Sequence, residues 1–229
     1  SLNFSREKLF HYVPRFFLLP VLFIFSRLLI LCLGSDEIAQ FALFQAIYAF
    51  IITIIPSATY NFLMRELSTA SLQEASKKTE LLYLFFSPLT FLFILTGSLL
   101  SPIVINFALP LDKLTNPILF SFLILLLGFL GFFNGSMRSI FASRGRRILV
   151  SGIDFLEGLL KLLVLYLLYL YGEVDLYSVI CILILTSFIA LLIRQFYLPK
   201  ELSFLFNLPL IISSCACFIG PGLSISFSN

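Results

Sequence analysis

Residues 148–171 read ILVSGIDFLEGLLKLLVLYLLYLY, an apolar stretch that carries only three charged side chains, Asp154, Glu157 and Lys161. A membrane-spanning α-helix needs about 20 mainly apolar residues, and this stretch is long enough. The three charged residues lie at positions i, i+3 and i+7, which places them on one face of a helix. The stretch therefore predicts a transmembrane helix with one polar face.

The rest of the chain has the same character. Of its 229 residues, 60% are hydrophobic and 12% are charged, and the mean hydropathy is +1.06. An ordinary soluble domain carries about 25% charged residues, so we predict an all-α integral membrane protein. The net charge is +3, but no basic stripe lies on a polar surface, and nucleic-acid binding is not predicted.

Apolar stretches of spanning length recur along the chain, separated by short polar turns. We predict six transmembrane helices that form one bundle within residues 1–200, at 13–33, 38–63, 81–109, 117–141, 148–171 and 176–197. Residues 201–229 hold a further apolar stretch, 204–227, which Pro209, Gly220, Pro221 and Gly222 interrupt. This segment is either a partial seventh helix or an irregular tail.

The loops divide sharply by charge. With Arg194 counted in a loop, twelve Lys and Arg residues fall on the side of the N-terminus, whereas the opposite side holds Lys113 alone. Because Lys and Arg in short loops remain in the cytoplasm, the sequence predicts a cytoplasmic N-terminus.

Two basic residues remain inside predicted spans, Arg27 and Lys161. A charge at the bilayer centre costs at least about 2.5–3.5 kcal/mol and usually faces a bundle interior or a cavity. Arg27 therefore faces a cavity or, alternatively, snorkels to the headgroups. Glu157 and Lys161 have the i, i+4 spacing of a favourable ion pair, which is either structural or part of a solvated path.

In the second of these interpretations, Asp154 is the unpaired member of the polar face and is able to titrate. Asn134 and Arg138, near the end of the fourth predicted span, would face the same path.

Residues that support metal, cofactor or catalytic chemistry are sparse. His11 is the only histidine, and Cys32, Cys181, Cys215 and Cys217 lack metal-ligand spacing. We expect the cysteines to be reduced thiols in apolar surroundings. The sequence has no phosphate-binding Gly-rich loop and no hydrolase or protease motif. No metal site, cofactor or catalytic residue is predicted.

Three stretches carry a resemblance to a known family. The first combines residues 26–29 (SRLL) with 33–43 (LGSDEIAQFAL), the second is 60–68 (YNFLMRELS), and the third is 134–142 (NGSMRSIFA), followed by the basic residues 144–147. In order and spacing they resemble the N-terminal half of polysaccharide-biosynthesis and O-antigen flippases. Those proteins belong to the multidrug/oligosaccharidyl-lipid/polysaccharide exporter superfamily. The resemblance covers roughly residues 10–200; residues 39–41 depart from the family's aromatic-Gly pair.

The resemblance implies a transporter of the bacterial inner membrane rather than an enzyme. It would flip a lipid-linked oligosaccharide of the polyprenyl diphosphate type by alternating access between two six-helix bundles. Arg27, Lys161 and Arg138 would bind the anionic substrate, and Asp154 and Glu157 would couple ion movement. Because this chain provides one bundle, we expect a truncated half, completed by a missing C-terminal half or by a second copy.

Three alternatives stay open. The nearest is a multidrug or metabolite exporter of the same superfamily. The others are a non-catalytic membrane subunit and a membrane-embedded transferase acting on lipid or sugar phosphates, for which Asp154 and Glu157 would supply the acids.

Overall fold

The computed structural model describes residues 2–108, 116–172 and 174–198. This part of the chain forms six α-helices and no strand, which confirms the all-α prediction. The helices are α1 (Leu2–Cys32), α2 (Ser35–Leu67), α3 (Leu72–Ala108), α4 (Pro117–Ser143), α5 (Arg147–Tyr171) and α6 (Leu176–Phe196). The predicted tail, 201–229, lies outside the described residues.

Two helices begin well before the predicted spans. The first begins at Leu2 rather than at residue 13, and the third at Leu72 rather than at residue 81. Span prediction follows apolar residues, whereas Glu, Lys and Gln are also good helix formers. The helices therefore continue into the polar segments. Pro56, Pro88 and Pro102, which interrupt the predicted spans, all lie inside unbroken helices.

Within the described residues, four helical segments are long and apolar enough to cross a membrane, namely Tyr12–Cys32, Ser35–Ile54, Pro117–Ser143 and Leu176–Phe196. The apolar part of α3, Pro88–Val104, is shorter, and the apolar stretch of α5 contains Asp154, Glu157 and Lys161. Several apolar helices of this length are what a multi-pass membrane protein requires.

The central helix is α4. It packs against α2, α3 and α6 and also meets α5, while α5 lies between α6 and α1. Residues on most sides of α4 are therefore buried, from Phe120 near its start to Phe141 near its end. This arrangement places one face of α5 against α6 and the end of α4.

Glycines allow α2, α3 and α4 to approach one another closely. A Cβ atom at Gly97 would lie 2.8 Å from Ile51, and one at Gly128 would lie 2.8 Å from Ile94. At Gly135 it would overlap the ring of Tyr60, whose hydroxyl donates to the carbonyl of Gly131 at 3.2 Å. Small residues at helix contacts are typical of membrane bundles, where packing rather than the hydrophobic effect drives association.

The first helix joins the bundle through a single stripe. Val21, Phe25, Leu29 and Leu33 are buried and four residues apart, which aligns them along one face. That stripe lies on the α5 side, since α1 packs chiefly on α5 and a Cβ at Gly158 would touch Leu18 and Val21.

Candidate functional site: a charge cluster between α4, α5 and α6

The polar face of α5 is the starting point of the site. Lys161 Nζ lies 2.8 Å from Glu157 Oε1, one helical turn apart, so the predicted ion pair is present. The Glu157 side chain is only 8% exposed, which fits the expectation that this face turns into the bundle. A buried carboxylate of this kind needs positive partners, because an unpaired charge in an apolar interior is costly.

Asp154 is not the unpaired carboxylate that the sequence predicted. Its Oδ1 atom lies 2.8 Å from Arg138 Nη2 and 2.5 Å from Arg194 Nη2. The expectation is wrong because Arg138 pairs with Asp154 and because α6, which packs on both α4 and α5, turns Arg194 in its last turn inward. Arg138 does face the polar side of α5, as expected.

The side chain of Arg194 is fully buried, with none of its surface exposed. Its Nη1 donates to Asn134 Oδ1 on α4, and Asn134 Nδ2 donates to the carbonyl of Ser187 on α6 at 2.9 Å. The Ser187 hydroxyl in turn donates to Glu157 Oε1 on α5 at 3.2 Å. Side chains from all three helices are therefore linked into one network.

Glu157 also interacts with both guanidinium groups through charge alone. Its Oε2 lies 3.6 Å from Arg194 Nη2 and 3.7 Å from Arg138 Nη2, and it accepts no hydrogen bond from any described residue. These distances exceed those of a hydrogen bond. We call Arg138, Asp154, Glu157, Lys161 and Arg194 together the charge cluster.

The charge cluster has a buried side and an accessible edge. Arg194 and Glu157 form the buried side, whereas the Arg138 side chain is 44% exposed and the Lys161 side chain 22%. Three cations and two carboxylates leave one positive charge in excess when all five groups are ionised. The Asp154 side chain, at 23%, is as exposed as that of Lys161, so the accessible edge presents two cations and one carboxylate, with Arg138 the most exposed of the three.

The cluster lies at the end of the bundle where α4 ends and α5 begins. At 1.5 Å per residue, Asp154 is about 10 Å and Glu157 about 15 Å along α5 from Arg147. Arginines of the α4–α5 loop fasten this end: Arg144 donates to the carbonyl of Ala70 at 3.0 Å, and Arg146 to that of Tyr197 at 3.3 Å. These bonds tie the loop to the α2–α3 turn and to the end of α6.

Arg27 lies apart from this site. It is exposed on α1, two residues from Phe25, and therefore on a face turned away from the stripe that packs on α5. Within the described parts of the chain it forms no hydrogen bond or ion pair. The structure thus brings together Lys161, Arg138, Asp154 and Glu157 among the predicted site residues, but not Arg27.

Metal-ligating residues do not gather in the part of the chain that the structure describes, where no three of His, Cys, Asp or Glu form a group able to hold a metal ion. Cys32 and Cys181 are free thiols there. Cys215, Cys217 and the His11 side chain lie outside the described set.

The residues that sequence reasoning missed are Arg194 and Ser187. A signal was present, because they are seven residues apart and so share one face of an apolar helix. Its meaning depended on knowing that α6 packs against both α4 and α5, which the sequence of α6 does not specify.

Comparison of the chain with protein-family models, with curated proteins and with solved structures finds no match.

Proposed function

We propose that the chain is the transport bundle of a membrane protein that flips or exports a lipid-linked oligosaccharide by alternating access. The observation that carries the proposal is the charge cluster, five ionisable side chains gathered among helices of membrane-spanning character. Ionisable residues within membrane helices are expensive and typically mark substrate or ion pathways. The proposal also draws on the motif resemblance described above.

The sign of the cluster favours an anionic substrate. The excess cation suits the phosphates of a polyprenyl diphosphate carrier, because guanidinium groups bind phosphate oxygens in pairs. At the accessible edge, Arg138 and Lys161 supply two cations against the one carboxylate of Asp154. A carrier of cationic drugs would instead need an excess of accessible carboxylates over cations. The same observation therefore favours the flippase over a multidrug exporter.

Asp154 and Glu157 remain the proposed groups for coupling ion movement. Both are already paired with side-chain cations, so protonation of Asp154 would weaken its hold on Arg138 and Arg194. A change of charge at this position would thus be transmitted to α4 and α6. This is the kind of coupling between helices that alternating access requires.

The proposed orientation places the N-terminus and the cluster end of the bundle at the cytoplasmic face of a bacterial inner membrane. Moving Arg138 and Arg194, which lie within α4 and α6, out of the loops leaves ten basic residues against one, and the asymmetry persists. Exposed Arg27 would face a cavity between this bundle and a second one, provided by another copy or by a further segment.

Genetic complementation tests this function. A strain that lacks its own O-antigen or capsule flippase receives this chain alone, or this chain together with the C-terminal bundle of a flippase. Restored surface glycan in either arm supports the proposal, and rescue by the chain alone also indicates assembly from two copies. Absence of surface glycan in both arms, with the protein inserted in the membrane, contradicts the proposal.

A further inference from the structure

Two guanidinium groups share a single oxygen of Asp154. Arg138, on α4, places its Nη2 atom 2.8 Å from Asp154 Oδ1. Arg194, on α6, places its Nη2 atom 2.5 Å from the same oxygen. One carboxylate therefore serves two cations, although its single charge can balance only one of them. The second carboxylate, Glu157, lies farther from both guanidinium groups and pairs closely with Lys161.

The two arginines are held very differently. Arg194 is fully buried and also donates to Asn134, so three helices fix its position. Arg138 is 44% exposed, and the partners recorded for it are the carboxylates of Asp154 and Glu157. Of the two cations on Asp154, only Arg138 is free to turn towards a ligand without breaking a buried network.

We infer that Arg138 is an exchangeable cation: a phosphate group of the substrate displaces Asp154 from Arg138, while Arg194 keeps Asp154 neutralised. The identity of the ligand as a diphosphate-bearing lipid rests on the proposed function. The exchange itself rests on the geometry of the three side chains.

Because Asp154 has two cationic partners, the free-energy cost of the exchange is low. Removing the only partner of a buried charge leaves that charge uncompensated, which is strongly unfavourable. Here Asp154 loses one of two cations and keeps the closer one. The incoming phosphate offers Arg138 a bidentate, charge-assisted contact in place of the carboxylate oxygen that it shares. Asp154 therefore acts as a resident competitor that lowers the affinity of Arg138 for an external anion.

A counterintuitive result follows for substitution of Asp154. Asp154→Gln would change the side-chain length, but Asp154→Asn keeps the shape and removes the competing charge. Diphosphate binding should become about tenfold tighter in this variant, which corresponds to about 1.4 kcal/mol. Arg138→Gln removes the exchangeable cation and should weaken binding by about tenfold or more.

The experiment measures dissociation constants of the full chain in lipid nanodiscs for two probes, pyrophosphate and farnesyl diphosphate. Parallel changes for both probes would show that the phosphate group alone is recognised, as for a soluble anion; changes confined to farnesyl diphosphate would assign the site to a lipid carrier. The matched control is Glu66→Gln, in the exposed Lys78–Glu66 pair. It changes the net charge of the protein by the same amount as Asp154→Asn, but away from the charge cluster, and should leave both dissociation constants unchanged.

Unchanged or weaker binding by a folded Asp154→Asn protein would overturn the inference. Equal binding by Arg138→Gln and the wild type would overturn it as well. The Arg138→Gln variant tests the inference even if the Asp154→Asn protein fails to fold, since Asp154 keeps its contact with Arg194 when Arg138 is replaced. Rescue of surface glycan without the expected binding changes in the two variants would contradict this inference alone. The expected binding changes without rescue of surface glycan would contradict the proposed function alone.

Discussion

The guanidinium group of Arg194, which has no exposed surface, lies 2.5 Å from the carboxylate of Asp154 and joins α6 to α5 inside the bundle. Asp154 is the closest carboxylate to Arg194, and it also pairs with Arg138 on α4. Arg194 also donates to Asn134 on α4. The pair therefore determines how three helices meet at the end of the bundle that holds the charge cluster.

Replacing Arg194 should destabilise the protein far more than replacing Arg138, although both contact Asp154. Arg194→Met removes the fully buried guanidinium group, which leaves Asn134 Oδ1 without this donor and Asp154 with Arg138 as its remaining close cation. Loss of one partner of a buried pair costs about 3–5 kcal/mol. Arg138→Met removes a half-exposed partner, and such pairs contribute about 1 kcal/mol or less. Unfolding followed by helical circular dichroism in micelles measures the difference. Equal losses in the two variants would contradict the assignment of Arg194 as the buried link.

Close packing between α2 and α4 predicts opposite effects at two glycines. Gly135→Ala would drive a methyl group into the ring of Tyr60, and overpacking of this kind costs about 1–3 kcal/mol. Gly152→Ala, on α5, meets no atom within 4 Å and should be neutral or stabilising by up to about 1 kcal/mol because alanine favours a helix. Melting temperatures of the two variants in the same detergent provide the comparison. A neutral Gly135→Ala would show that α2 and α4 are not in the contact described.

The ion pair between the end of α2 and the start of α3 should give a pH-dependent contribution to stability. Lys78 Nζ lies 2.9 Å from Glu66 Oε2, and this hydrogen bond lowers the pKa of Glu66 below its usual value. Because the pKa is lower in the folded state, the contribution is present above the unfolded pKa, about 4.3, and is lost as the pH falls through the folded pKa.

The melting temperature of Glu66→Gln should accordingly lie below that of the wild type at pH 7, and the gap should close in acid. Added salt should also reduce the gap, because the pair is exposed. A difference that is independent of pH would mean that Glu66 acts through packing rather than through its charge.

The proposed orientation is tested at the two ends of α5. Arg147 and Tyr171 are both exposed and stand about 36 Å apart along the helix, so they should lie on opposite sides of a membrane. Single cysteines at these positions, in a chain whose four native cysteines are replaced by serine, are treated on intact cells with a membrane-impermeant maleimide. We expect labelling at position 171 and none at 147 until the cells are lysed. The reverse pattern would place the N-terminus outside.

The helices could be predicted from the sequence because their information is local. Apolar length located α4, α5 and α6 within about two residues at each end, and the i, i+4 spacing identified the Glu157–Lys161 pair. The partners of Asp154 could not be predicted in full. Arg194 is 40 residues away and reaches Asp154 only because α6 packs between α4 and α5, a tertiary contact that no periodicity encodes.

The surroundings of Arg27 could not be predicted from the sequence either. Its position inside an apolar span predicted a polar environment, but the depth of a residue in a helix does not define which face is covered. The buried stripe of α1 runs through Phe25 and Leu29, and Arg27 falls on the opposite face. The packing of α1 on α5 turns Arg27 away from the bundle, and this residue is therefore not part of the charge cluster.

Photocrosslinking tests most directly whether a diphosphate-bearing lipid binds at the charge cluster. A diazirine-bearing prenyl diphosphate is irradiated with the protein in nanodiscs, and the labelled peptides are mapped by mass spectrometry. We predict labelling of the α4–α5 region around Arg138 that pyrophosphate or the Arg138→Gln substitution reduces by about tenfold, as for loss of one charged contact. Labelling that is spread over the exposed faces of the helices and is insensitive to Arg138→Gln would contradict the account.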